Sequence, residues 1–307
     1  MSSKIIIIAG PTASGKSGLA LQLAEKLNSV VINADSMQVY KDIPILAAAP
    51  TSKDMKRVPH KLYGIYDASV HGNMVEWANR AIKEINLAHQ NHLTPIVVGG
   101  TGMYIETLEK GLTPIPETPE EIRRLIADKQ KEIGLKGLYE ELKQIDNDTA
   151  SRLSENDTTR IRRAMEVWYH TKKNMTYWQQ VPLKRFFAPD QLVKIYINPP
   201  REALDIRSRI RFDMMMKNGA LKEVENLIER NLSDSLPAMR ALGVQELKAY
   251  IKNKCSLAEA VELAKLHTRQ YAKRQCTWFN NRFVPHFCYK LCYDQDKNFV
   301  DDIEKTL

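Results

Sequence analysis

Ile5-Ile6-Ile7-Ile8-Ala9-Gly10-Pro11-Thr12-Ala13-Ser14-Gly15-Lys16-Ser17 is the stretch that decides the fold. A β-branched run closed by Gly-Pro predicts a short strand buried on both faces. From Ser17 to Asn28, Leu19, Leu23 and Leu27 recur at helical spacing, with Ala20 and Ala24 beside them. Gly10 to Ser17 fits the pattern Gly-x4-Gly-Lys-Ser/Thr, placed between a strand and an amphipathic helix, where that pattern has physical meaning. In such a loop the backbone amides of Gly10, Thr12, Ala13, Ser14 and Gly15 converge on phosphate oxygens at a helix N-terminus. Lys16 adds a full charge and the Ser17 hydroxyl is a ligand for Mg²⁺. The pattern predicts a polyphosphate and a metal. It leaves the reaction open among a kinase, an NTPase and a transferase that expels diphosphate.

Working outward, Val30-Val31-Ile32 reads as a second buried strand ending at Asn33-Ala34-Asp35. Val75 to His92 reads as a helix, and Pro95-Ile96-Val97-Val98 as a third strand ending in Gly99-Gly100-Thr101-Gly102. Strands alternating with helices predict an α/β core with a parallel sheet. From Thr113 the texture changes. Pro114, Pro116 and Pro119 punctuate a linker, and Thr118-Pro119-Glu120-Glu121 reads as a helix start with Thr118 as N-cap. The chain is then helical and polar to about Gln180, and Leu192 to Ile197 returns to the sheet. The expectation is a phosphate-loop core of residues 1–113 and 191–307, interrupted by a helical insertion over 114–190.

In 307 residues, 43% hydrophobic content excludes a disordered chain. No apolar run approaches the roughly 18 residues of a membrane helix, and the apolar stretch after Met1 is too short for a signal peptide. Four cysteines do not make a disulfide framework. A soluble, cytoplasmic, monomeric protein with no membrane partner is expected. His286, Cys288 and Cys292 lack paired zinc-ligand spacing and read as a loop histidine with core thiols.

Asp35 falls at the carboxyl end of a buried strand, where doubly wound sheets bind ligands. It is a candidate general base or metal ligand, or else a helix cap. Thr101 offers a hydroxyl among glycines that permit close approach, or else marks a tight turn. All three strand ends open on one edge of the sheet and are predicted to line one site.

The formal net charge is +8, and its placement is uneven. Residues 160–185 carry seven Lys or Arg against Glu166 alone, and 256–291 carry six against Glu259 and Glu262. Lys265, Arg269 and Lys273 recur every four residues. Trp168, Tyr177, Trp178, Tyr271 and Trp278 are interleaved with the basic residues, which favours a polyanion such as RNA over a merely solvated face.

Five motifs in order carry a specific resemblance: Gly10 to Ser17, Asn33 to Tyr40, Val98 to Tyr104, Asn156 to Val167, and Thr268 to Phe279. Together they resemble the tRNA dimethylallyltransferases over nearly the whole chain. The resemblance implies a core like nucleotide kinases and a helical insertion that grips the anticodon stem-loop. It also implies transfer of a dimethylallyl group from dimethylallyl diphosphate to the exocyclic amine of the adenine just 3′ of the tRNA anticodon. Asp35 is then the proton acceptor, Thr101 orients the amine, and Arg211 contacts the diphosphate. Ser36, Met37, Gln38, Arg123, Arg269, Lys273 and the segment Thr159, Arg160, Ile161, Arg162 and Arg163 join Asp35 and Thr101 as tRNA contacts. The chain departs from the family at Pro44 to Pro50, where the usual glycine, threonine and lysine are missing, at His60-Lys61 and at Thr171-Lys172-Lys173. An adenylate isopentenyltransferase acting on free AMP, a kinase or NTPase, and an RNA-binding module are the rival readings.

Overall fold

The computed structural model describes residues 4–292 and 299–304. Among the described residues six strands form one all-parallel sheet: β1 (Ile5–Ala9), β2 (Ser29–Asn33), β3 (His60–Lys61), β4 (Thr94–Gly99), β5 (Leu192–Ile197) and β6 (Phe287–Tyr289). Their order is β3-β2-β4-β1-β5-β6. All five residues of β1 are buried, as a central parallel strand covered on both faces requires. The chain divides into two compact units, residues 1–109 with 186–307, and residues 110–185.

In the first unit, α1 (Lys16–Lys26), α2 (Ser52–Arg57), α3 (Met74–Gln90) and α4 (Gly102–Lys110) alternate with the first four strands. Leu19 and Leu23 of α1 pack on Ile6, Ile8, Ile96, Val98 and Ile195 of the sheet. On α3, Trp77 is fully buried, donates Nε1–H to the carbonyl of Asn33 at 2.9 Å, and stacks on Tyr104 at 4.0 Å between ring centroids. One indole thereby joins α3, α4 and the carboxyl end of β2.

The second unit contains α5 (Glu120–Ile145), α6 (Asn147–Ser151), α7 (Thr158–Thr171) and α8 (Met175–Gln180). Its core comprises Ile126, Leu138, Tyr139, Leu142, Ala150, Ile161, Ala164 and Met165. An antiparallel bridge between Leu112 and Lys184 ties its two ends together. The unit is therefore bounded a few residues earlier than the proline pattern places it. The first unit resumes with β5, α9 (Arg201–Lys217), α10 (Ala220–Glu229), α11 (Val244–Ile251), α12 (Leu257–Arg282), β6 and α13 (Phe299–Glu304). Among the described residues no helix is long and apolar enough to cross a membrane.

Two local expectations need correction, and two short strands carry no sequence signal. Pro119, not Thr118, occupies the N-cap of α5, and the Thr118 hydroxyl instead accepts a hydrogen bond from Arg163 at 2.7 Å. Strands β3 and β6 lie at the sheet edges and are two and three residues long, too short to carry a period. Ile161 is fully buried in the helical core, so its side chain is a packing residue and not a surface contact.

Replacing Trp77 with Ala removes a buried indole and strands the Asn33 carbonyl. It should cost about 3–5 kcal/mol of unfolding free energy, read from urea denaturation. A loss below about 1 kcal/mol would contradict the joining role.

Candidate active site

The phosphate loop leaves β1 and enters α1 through two left-handed residues, Ala13 at φ +65° and Gly15 at φ +90°. Such turns present successive backbone amides to an anion. The Ser14 hydroxyl is buried with no hydrogen-bond partner among the described residues, an orphaned polar group beside that turn. Two arginines one turn apart on α9 reach the loop. Arg207 Nε donates to the Ala13 carbonyl at 3.0 Å, and the Arg211 guanidinium hydrogen-bonds Thr12 Oγ1. Lys16, Ser17, Arg207, Arg211 and Ala48 border a cavity of about 440 Å³.

The electrostatics of this enclosure favour an anionic ligand. Burial lowers the Lys16 ammonium from its ordinary value near 10.5 to about 8; the nearby negative charge of Asp35 opposes that shift and Arg211 adds to it. Burial likewise pulls the Arg211 guanidinium down, against the opposing charge of Asp35. Two desolvated cations therefore share one carboxylate.

Asp35 lines a second cavity of about 320 Å³, together with Thr12, Met37, Arg211, Tyr271 and Arg274. Its Oδ1 accepts the Met37 amide at 2.9 Å, and its own amide donates to Asn33 Oδ1 at 2.8 Å. Thr101 Oγ1 accepts the Ser36 amide at 2.9 Å and donates to Ser36 Oγ at 3.2 Å. The ends of β2 and β4 meet closely because Gly99 has no side chain: a Cβ there would stand 2.0 Å from the Ala34 carbonyl oxygen. Tyr271 of α12 stands beside the Thr101 and Gln275 side chains, and burial followed by the charge of Asp35 raises its phenol. Gln38 donates its amide to the carbonyls of Ala47 and Ala48, at 3.0 and 2.9 Å. It braces the loop that departs from the family pattern. The backbone at Ile45 and Leu46 is held by the Glu223 carboxylate at 2.7 and 2.9 Å.

The structure thus brings together Gly10 to Ser17, Asp35, Ser36, Met37, Thr101 and Arg211. The helical unit carries basic residues of its own. Thr159 follows the first residue of α7. Arg160 is exposed and paired with Asp157 at 2.5 Å, and Arg123 lies 3.9 Å from Glu120. Arg163 is half-buried, with burial lowering its guanidinium, and the Arg162 Nε is buried without a hydrogen-bond partner among the described residues. Arg269 and Lys273 are exposed on α12, with Arg269 3.9 Å from Asp205. His286 exchanges backbone and ring hydrogen bonds with the Lys194 backbone, at 2.8 and 3.0 Å, and so stitches β6 to β5. Among the described residues no three His, Cys, Asp or Glu side chains cluster as a metal site. A metal at the phosphate loop would then rest on the exposed Ser17 hydroxyl and on oxygens brought by the ligand itself.

A family model described as IPP transferase matches residues 38–282. The chain belongs to the IPP transferase family. A tRNA dimethylallyltransferase of Zymomonas mobilis subsp. mobilis is 44% identical over 278 residues, covering 91% of this chain and 88% of the relative. A solved tRNA isopentenylpyrophosphate transferase of Staphylococcus epidermidis is 33% identical, with TM-score 0.68 over 98% of both chains. A eukaryotic dimethylallyltransferase acting on tRNA superposes with TM-score 0.85 at 28% identity, over 99% of this chain and 78% of that one.

In this IPP transferase, Arg207, Tyr271 and Gln275 are site residues that motif reading did not single out. Tyr271 and Gln275 lie inside the motif Thr268 to Phe279 without a role assigned by it, and Arg207 is signalled by its four-residue spacing from Arg211.

Because burial lowers the Lys16 ammonium to about 8, an organic diphosphate that pairs with its charged form must reprotonate it above that pH. Affinity should therefore fall as pH rises from 8 to 10, by up to about tenfold per unit, and Lys16→Arg should remove that fall. Calorimetric titration of both proteins checks this. Parallel pH profiles would contradict it.

Proposed function

We propose that this enzyme transfers the dimethylallyl group of dimethylallyl diphosphate to the exocyclic amine of the adenine 3′-adjacent to a tRNA anticodon. The products are isopentenyladenosine in RNA and diphosphate. The observation that carries the reading is the convergence of Lys16, Arg211, Asp35 and Thr101 at one edge of the sheet in a chain of this family. The two cations oppose the charge that develops on the leaving diphosphate, and their desolvation strengthens that interaction. An adenine amine is a weak nucleophile whose proton becomes acidic as the new carbon–nitrogen bond forms. Asp35 accepts that proton, and Thr101 orients the amine. The adenine leaves its stack to enter the Asp35 cavity. Ser17 would help hold a Mg²⁺ ion at the phosphate loop, and such an ion would supply further positive charge against the leaving group.

Support for an RNA acceptor over free AMP comes from the relatives' names and from the exposed cations of α7 and α12, which a mononucleotide does not require. Arg123, Thr159, Arg160, Arg162 and Arg163 are assigned to the anticodon arm on the helical unit. Arg269 and Lys273 are assigned to RNA on the core. Ser36, Met37 and Gln38 shape the adenine pocket.

Incubation with labelled dimethylallyl diphosphate, Mg²⁺ and either an anticodon stem-loop or AMP tests the reading. Label should enter the stem-loop. Label in AMP alone, or ATP turnover without prenyl transfer, would transfer the assignment to a rival class. Asp35→Ala should slow transfer by at least about 100-fold while stem-loop affinity stays within a few-fold. An equal loss of binding would make Asp35 a binding residue. Arg160→Ala should lower the slope of log affinity against log salt by roughly one. An unchanged slope would remove Arg160 from the RNA surface.

A further inference from the structure

The ends of β2 and β4 are tied directly to each other, since the Thr101 amide donates to the Ala34 carbonyl at 3.3 Å and Thr101 Oγ1 holds Ser36. The phosphate loop is tied to that pair through a side chain from α12. Gln275 Oε1 accepts the Thr12 amide at 2.8 Å, and Gln275 Nε2 donates to the Gly100 carbonyl at 2.8 Å. Gln275 is 6% exposed, so water does not readily replace either bond.

We infer that Gln275 is a positioning residue for the transfer reaction, a strut that sets the spacing between the loop holding the leaving group and the loop holding the acceptor amine. The inference rests on the transferase reading above. Each end of the strut is one step from a reacting partner. Thr12, whose amide it holds, takes the Arg211 guanidinium on its hydroxyl. Gly100, whose carbonyl it holds, precedes Thr101. A displacement at either contact changes the distance between the carbon to be transferred and the nitrogen that attacks it. Rates of displacement fall steeply when that distance leaves near-attack range.

The chemistry selects this side chain. One terminus must accept and the other must donate, which a carboxamide does and an ionised carboxylate does not. Its partner position selects glycine, because a Cβ on residue 100 would lie 2.3 Å from Gln275 Nε2. The same helix has Tyr271 on Thr101 one turn earlier and carries exposed Arg269 and Lys273. Its inward side chains therefore brace the two loops, while its exposed cations remain available to RNA.

The test measures kcat at saturating dimethylallyl diphosphate and stem-loop, stem-loop Kd and thermal midpoint. The proteins are the parent, Gln275→Met, Gly100→Ala and the double variant. The strut predicts at least a tenfold lower kcat for Gln275→Met with Kd within twofold. It predicts a comparable fall for Gly100→Ala, which pushes the amide away from the other side. The double should be no worse than the more impaired single, because both break one contact. A kcat within twofold of the parent for folded Gln275→Met overturns the inference, as does a double whose loss is the product of the singles. If Gln275→Met does not fold, Gln275→Glu retains the shape and the acceptor and loses the donor, and the same tenfold fall is required of it. A parent protein that transfers no label to the stem-loop defeats the transferase reading. An active parent with unimpaired variants defeats only the strut.

Discussion

Two half-buried cations within the field of one carboxylate organise this molecule. Lys16 and Arg211 are both desolvated, and Asp35 is the shared negative charge that offsets part of that cost. Partly desolvated charge is unfavourable when unpaired, so the site favours a ligand with more negative charge than Asp35 supplies. Much of the surrounding architecture holds the three groups in place. Asp35 stands at the end of β2, Lys16 opens α1, and Arg211 projects from α9 onto Thr12 of the loop between β1 and α1.

That arrangement requires strand ends to approach more closely than side chains ordinarily allow. Gly99 admits the Ala34 carbonyl, and Gly100 admits the Gln275 amide. The loop at residues 44–49 is held by Gln38 on its carbonyls and by Glu223 on its amides. Burial raises the Glu223 carboxyl, and the two amide hydrogen bonds oppose that shift. Leu46, Ala47 and Ala48 then contribute to the cavity walls through backbone position and small apolar side chains. The departure from the family's usual residues in this loop changes the chemistry of the wall while its polar anchors stay in the backbone.

The long periodic elements were legible. The runs Ile5 to Ala9 and Leu192 to Ile197 are strands at those positions, and Val75 to His92 differs from α3 by one or two residues at each end. Apolar period is a local property, and tertiary packing here reinforces it. Strands β3 and β6 were not legible because a two- or three-residue edge strand carries no period. Thr118 looked like a cap, yet a guanidinium 45 residues away claims its hydroxyl. Ile161 sits among arginines in sequence, and a motif that names it beside them does not separate packing from contact. Its burial with Leu138, Leu142 and Met165 makes that separation.

By itself the sequence determined the parallel α/β core, the phosphate loop with Lys16 and Ser17, and the candidacy of Asp35 and Thr101. Each of these is written in consecutive residues, where strand, turn and helix chemistry act over a few bonds. Only the tertiary structure decided that Arg207 and Arg211 grip the phosphate loop, that Tyr271 touches Thr101, and that Gln275 spans two loops. Those contacts join residues 170 or more positions apart. Their partners are chosen by helix packing and buried hydrogen-bond satisfaction, which no local pattern encodes.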